Sequence, residues 1–264
     1  MSWIAIGVLV VSGSAAPPPA NAQFDYQIGG EYEPPADVTV VARDWFLGEP
    51  LDGGYSICYV NAFQTQDDEA GVDRPDERSN WPADLLLWEL GDDPNWGGEY
   101  LVDISSDTTR SAALAHVEPM IDVCAAKGFD AVEFDNLDSW TRFDGTDLEG
   151  DVPFGAPEAV VYAELLVDYT HSLGLAAGQK NTPQLGADVS LHVIEFDFAI
   201  AEECGFYDEC DAYTDVFGAD LIVIEYTTEG FERACAAVGD TVSVVLRDLD
   251  VTPAGSATYV YSSC

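Results

Sequence analysis

From about residue 38 the chain alternates short apolar, often β-branched runs with helical or loop stretches. The runs are VTVVARD (38–44), YSICYVN (55–61), EYLVDIS (99–105), FDAVEFDN (129–136), GLAAGQKN (174–181), FDFAIAEE (196–203), DLIVIEY (220–226) and TVSVVLRD (241–248). Between several of them the apolar period changes from two to three and four. Residues 108–127 place Leu114, Val117, Ile121 and Cys124 on one stripe, and 156–173 do the same with Val160, Ala163, Leu166, Val167 and His171. Gly128 and Gly174 follow these two patterns, where left-handed helix caps belong. Eight strand-like runs interleaved with helices predict a single (β/α)8 barrel of the TIM type. An open doubly wound sheet fits less well, because no Gly-rich phosphate fingerprint follows the first run. The third strand is ambiguous: LLLWELG (85–91) competes with 99–105 for the place. Residues 62–98 and 141–156 read as long loops, and ATYVYSSC as an extra strand or tail.

The runs end in a telling way. Asp44, Asn61, Asp103, Asp135, Lys180, Glu202, Glu225 and Asp248 stand at or near their C-terminal ends, and in a barrel those ends converge on the face that carries active sites.

Composition changes the picture in one respect. Against 49 acidic residues there are 9 basic ones, a formal net charge of -40, and the only lysines are Lys127 and Lys180. Such a like-charged sheath is tolerated where salt screens it, so a high-salt environment is expected. Nucleic acid is excluded as a partner, since phosphate binding needs a basic footprint. The start of the chain carries a short apolar stretch, Trp3 to Val11, then Ala20-Asn21-Ala22, an A-x-A cleavage pattern. Residues 1–22 are therefore expected to be an export segment and 23–264 one catalytic domain, secreted, monomeric and free of the membrane. Six cysteines in an exported chain favour disulfides. The Cys204-x5-Cys210 spacing suits a local staple, and Cys235 with Cys264 would tie down the last element. Cys58 and Cys124 admit two readings, a disulfide or two buried thiols. No metal site or cofactor is expected: no His lies near a Cys pair.

Elimination narrows the chemistry. His116, His171 and His192 fall in helix patterns or at a strand entry, and there is no G-x-S-x-G elbow, which argues against a serine hydrolase. Carboxylates at strand ends remain, the equipment of glycoside hydrolysis. Asp135, after the apolar AVEF, is the strongest candidate, with a helix N-cap shared with Asn136 as its structural alternative. Glu202 and Glu203 come next. Alternation puts Glu202 on one strand face with Phe198 and Ile200, and Glu203 with Asp197, Ala199 and Ala201. Periodicity does not say which face looks into the barrel.

A series of motifs carries a resemblance: YQIGG (26–30), CYVNAFQTQ (58–66), RPD (74–76), GEYLVDI (98–104), KGFDAVEFDN (127–136), GLAAGQKN (174–181), DFAIAEECGFYDEC (197–210) and IEY (224–226). In order and spacing the chain resembles glycoside hydrolase family 114, secreted endo-α-1,4-polygalactosaminidase-type enzymes. The resemblance implies a (β/α)8 barrel that cleaves a cationic aminosugar polysaccharide, with Asp135 and Glu202 as the catalytic pair. It implies that Asp44, Lys180, Asn181 and Glu225 line the substrate groove; Asn61, Asn136, Tyr207 and Tyr226 join them as substrate-binding candidates. Ala201 stands where the family usually has Asn, which would remove a polar contact to substrate, and Phe134 where Pro is usual. Two other functions compete: a non-catalytic carbohydrate-binding barrel and an α-glucan hydrolase.

Overall fold

The computed structural model describes residues 15–66 and 81–264; the RPD motif and most of the expected export segment lie outside them. Eight parallel strands follow one another in chain order around a nearly closed barrel. They are β1 (Phe24–Gln27), β2 (Val40–Asp44), β3 (Tyr55–Asn61), β4 (Ala131–Asp135), β5 (Ala176–Lys180), β6 (Phe198–Glu202), β7 (Leu221–Glu225) and β8 (Ser243–Arg247). A ninth strand, β9 (Tyr261–Ser263), pairs antiparallel with β8. The helices are α1 (Asp107–Lys127), α2 (Ala156–Ser172), α3 (Gly186–His192), α4 (Cys204–Tyr207), α5 (Cys210–Phe217) and α6 (Thr228–Val238).

Local chemistry explains the long helices. Ser106 caps α1 by accepting the Thr109 N–H at 3.2 Å, and Gly128 ends the helix in the left-handed conformation (φ 91°) that its lack of a Cβ allows. Alternation along the strands then builds two cores. Phe24, Tyr26, Val40, Ala42, Ile57, Tyr59, Phe198, Ile200, Ile222, Ile224 and Val245 fill the barrel interior. Cys58, Val60, Val132, Phe134, Ala199, Ala201 and Val223 pack outward against the helices. The interior is tight: a Cβ at Gly178 on β5 would sit 2.6 Å from the Phe198 ring, so only glycine leaves room for that ring.

Three features differ from the sequence expectation. The first strand is β1, 24–27, rather than 38–44, which is second. Residues 99–105 add no barrel strand; Leu101 and Val102 instead make isolated antiparallel bridges to Gln64 and Leu86. The two segments that compete for the third place thus pair with each other, outside the barrel. Finally, no helix follows β1 or β2 among the described residues.

Closure between β8 and β1 relies on side chains, as no backbone ladder joins them among the described residues. The fully buried Arg247 of β8 reaches Asp25 of β1 at 3.0 Å, and the Tyr261 hydroxyl on β9 donates to the Phe24 carbonyl at 3.3 Å. Three disulfides complete the frame. Cys58–Cys124 ties β3 to α1, so the two cysteines read either way are paired; Cys204–Cys210 staples α4 to α5, and Cys235–Cys264 holds the C-terminal strand to α6.

Candidate active site

Asp135 and Glu202 are the last residues of β4 and β6, and both point into the mouth of the barrel. The residues that follow them explain how. Asn136 (φ 60°), Asn181 (φ 48°) and Glu203 (φ 58°) all adopt left-handed backbone directly after the ends of β4, β5 and β6. Asparagine tolerates that region, whereas a glutamate held there is strained. Each strand therefore stops abruptly, with its last side chain standing clear at the rim. The D-N, K-N and E-E pairs of the sequence are these turns, and Asn136 is no helix cap.

A single cation organises the two acids. Lys180, the last residue of β5 and 1% exposed, donates to Asp135 Oδ1 at 3.2 Å and lies 3.3 Å from Glu202 Oε1. Its third contact is the Tyr26 hydroxyl, at 3.1 Å. Asp135 accepts from the Tyr59 hydroxyl at 2.6 Å on its other oxygen and from the Asn136 N–H at 2.9 Å. Glu202 accepts from the Tyr226 hydroxyl at 2.5 Å and from Asn181 Nδ2 at 3.0 Å, while Asn181 Oδ1 accepts the Glu202 N–H at 2.7 Å. These contacts fix the orientation of both carboxylates before any substrate arrives.

The electrostatics follow from the same contacts. Burial alone would push Asp135 up, but Lys180, the Tyr59 hydroxyl and the Asn136 N–H outweigh it and hold the carboxyl below its ordinary value. Burial would likewise lower Lys180; Asp135 and Glu202 outweigh that and keep it protonated. Tyr26, Tyr59 and Tyr226 are raised, first by burial and then by the carboxylates around them, so all three phenols stay donors.

Above this floor lies a cleft of about 450 Å³. One part of its wall is Ile28 and Gly29 after β1 with Leu249, Asp250 and Val251 after β8; another is Asn95, Trp96, Gly97 and Glu99, with Asp138 and Arg142 beyond β4. The segment carrying Trp96 is held by Asp93, which accepts the N–H groups of Asn95 (2.7 Å) and Trp96 (3.1 Å) and pairs with Arg142 at 3.0 Å. Among the described residues, six carboxylates line the cleft against two cations, Lys180 and Arg142. The site therefore favours a cationic ligand. Among the described residues, no group of three or more His, Cys, Asp or Glu is arranged to hold a metal ion, and no helix is long and apolar enough to cross a membrane.

Of the residues singled out in the sequence, Asn61, Asp135, Asn136, Lys180, Asn181, Glu202 and Tyr226 meet in this cleft, with Asn136 Nδ2 donating to Asn61 Oδ1 at 3.0 Å. Five do not line it. Asp44 accepts the N–H groups of Phe46 and Leu47, both at 3.0 Å, and so shapes the turn after β2. Glu225 shares the outward face of β7 with Leu221 and Val223 and accepts the Gly205 N–H at 2.7 Å. Tyr207 is 63% exposed on α4. Asp103 lies off the barrel strands, and Asp248 accepts the Thr252 N–H at 2.8 Å, ordering the β8–β9 loop. Ala201 and Phe134 face the helices, so these departures from the family pattern concern packing and not substrate. The residues the sequence reading missed include Tyr26, Glu99, Asp138, Arg142 and the 249–251 segment. Tyr26 and Glu99 had a signal, their places in YQIGG and GEYLVDI.

An open cleft at the C-terminal mouth of a barrel, floored by two oriented carboxylates, is the equipment of a glycosidase. Comparison with known proteins bears on this directly. The chain belongs to glycoside-hydrolase family GH114, whose family model matches residues 9–264. No curated protein matches it in sequence. Among solved structures, it is similar to Aspergillus fumigatus Ega3 in complex with galactosamine, with a TM-score of 0.72 and 21% identity over 93% of this chain and 96% of that one. It is also similar to the glycoside hydrolase domain of Pseudomonas aeruginosa PelA, with a TM-score of 0.53 and 14% identity over 89% of this chain and 97% of that one. At these identities the two structures speak for the fold, and the family for a glycoside hydrolase.

Proposed function

We propose that the protein is a secreted endo-acting hydrolase that cleaves internal α-1,4 bonds of a galactosamine-containing polysaccharide, with Asp135 and Glu202 as its catalytic pair. The observation that carries this reading is the shared Lys180, within 3.2 Å of one carboxylate and 3.3 Å of the other. Asp135 is the nucleophile. Lys180, Tyr59 and the Asn136 N–H keep it ionised, and each contact stabilises the charge it carries until it attacks the anomeric carbon. Glu202, steered by Tyr226 and Asn181, gives its proton to the departing glycosidic oxygen. It then takes a proton from the water that releases the glycosyl-enzyme. One nitrogen touching both acids holds them across a single gap, where a nucleophile and an acid/base can work on the same glycosidic bond.

The substrate class rests on charge and likeness. Unacetylated galactosamine is cationic near neutral pH, and the acidic cleft wall suits it. The similar Ega3 structure holds galactosamine. Asp138, Glu99, Glu203 and Asp250 supply that field. Three disulfides fit an oxidising, extracellular setting, and the net charge of -40 fits work in concentrated salt. The protein acts as a monomer without a cofactor.

The test is reducing-end release, in salt, from deacetylated galactosaminogalactan, its N-acetylated form and starch. The deacetylated polymer is cut internally, starch is not, and the first product carries the α-anomer. Cleavage of starch alone would replace the substrate class, a β-anomer would remove Asp135 from the nucleophile role, and no release from any polymer would leave a binding barrel.

A further inference from the structure

One buried acid has no part in the mechanism above. Glu133 lies two residues before Asp135 on β4 and so faces the same way, into the barrel one layer below the catalytic floor. It is fully buried, and neither carboxylate oxygen meets a donor in good hydrogen-bonding geometry, although the Tyr26 phenol lies alongside. An ionised carboxylate in that position would be costly, and a neutral one much less so. Tyr26 has the complementary need. Its oxygen accepts from Lys180 at 3.1 Å, so its own proton must point elsewhere, and Glu133 is the buried acceptor at hand.

We propose that Glu133 is a positioning residue for this reaction: a buried neutral acid whose contact with the Tyr26 phenol seats Lys180 between Asp135 and Glu202. The inference rests on the catalytic reading of that pair. The charged and titratable groups facing Glu133 are Tyr26 on β1, Tyr59 opposite it on β3, Asp135 on β4, Lys180 on β5 and Glu202 on β6. At this depth β2 and β8 contribute only apolar Val40, Ala42 and Val245. Lys180 is thus the single cation among three interior acids. While Glu133 stays neutral, the ammonium belongs to the catalytic pair. Once Glu133 ionises, it draws the ammonium downward, away from Asp135 and Glu202. Burial pushes the Glu133 carboxyl up to about 8, with Lys180 opposing and Asp135 adding to the rise, so the loss falls in the alkaline range.

Glu133→Gln is neutral at every pH and still accepts from Tyr26. Its kcat/KM relative to wild type should start up to about three-fold below parity at pH 6 and climb about ten-fold by pH 9, as the wild-type carboxyl ionises. A ratio that stays flat across this range overturns the proposal. Glu133→Leu, which offers Tyr26 no acceptor, should lose about ten-fold in kcat at pH 6 with KM little changed; equality with Glu133→Gln would also overturn it. A second readout needs neither activity nor the Leu variant to fold. In carbon-13 NMR of labelled glutamate carboxyls, wild type should show a signal titrating near pH 8 that is absent from Glu133→Gln and moves higher in Lys180→Met. Absence of that signal, or its indifference to Lys180, sinks the inference. An inactive wild type that still shows the coupled signal would instead count against the catalytic reading alone.

Discussion

Two buried cations on neighbouring parts of the same barrel have opposite uses. Arg247 at the β8–β1 seam gives its donors to Asp25 (3.0 Å) and to the carbonyls of Val260 (3.0 Å) and Thr252 (2.8 Å). Asp25 in turn accepts from Gln27, and Gln27 from Arg43. Every member of that chain is buried, and its side-chain hydrogen bonds run to another member or to main chain. Lys180 is buried just as deeply, but its two carboxylate partners stand half-buried at the floor of an open cleft. The difference teaches where chemistry lies in a chain this rich in acids. A saturated network holds the barrel shut, whereas a network whose acids keep one face toward the cleft is ready to act on a ligand.

Breaking each network should therefore damage a different property. Arg247→Met leaves Asp25 buried and unpaired, and should cost about 3–5 kcal/mol in denaturant unfolding with kcat/KM of the folded enzyme unchanged. Loss of activity at intact stability would abolish the distinction. Lys180→Met should do the reverse, lowering kcat by about 10²–10³-fold, since it removes the cation that orients both acids, while the unfolding midpoint moves less than in Arg247→Met. Replacing Cys204 and Cys210 by Ser opens a loop with a sequence separation of only 6, so about 2 kcal/mol of stability should be lost, with little change in kcat. The smallest effect concerns the outward-facing Glu225. Burial, reinforced by Glu203 and opposed by the Gly205 N–H, raises its carboxyl to about 7. The folded chain then holds that proton longer than the unfolded one, so the associated stability is full in acid and lost as pH rises through 7. Glu225→Gln should flatten this part of the melting-temperature profile while leaving the pH–rate profile in place. A changed rate profile would bring Glu225 back to the cleft.

The sequence carried much of this architecture because strand alternation and helical stripes are local properties. Seven of the eight strand-like runs became barrel strands, and four of them bring their polar end residue, Asn61, Asp135, Lys180 or Glu202, to the cleft. What was illegible depended on distant partners. β1 reads FDYQ, only four residues with Asp25 and Gln27 in it, and those two become acceptable inside a sheet only through Arg247 and Arg43, far along the chain. Residues 99–105 alternate like a strand, yet their bridges run to loop segments. At the end of β7, Glu225 and Tyr226 are adjacent and both plausible; a shift of one residue decides which enters the cleft, and only the barrel's register settles it. Glu202 and Glu203 posed the same choice, and β6 turns Glu202 inward beside Phe198 and Ile200.

The central claim is that Asp135 and Glu202, held by one lysine, are the hydrolytic machinery. Its most direct test is the initial rate of reducing-end release from deacetylated galactosaminogalactan by Asp135→Asn, an isosteric change, at matched thermal stability. The account predicts a loss on the order of 10³-fold or more, since a neutral amide cannot form the glycosyl-enzyme. Cleavage by Asp135→Asn at the wild-type rate would contradict it.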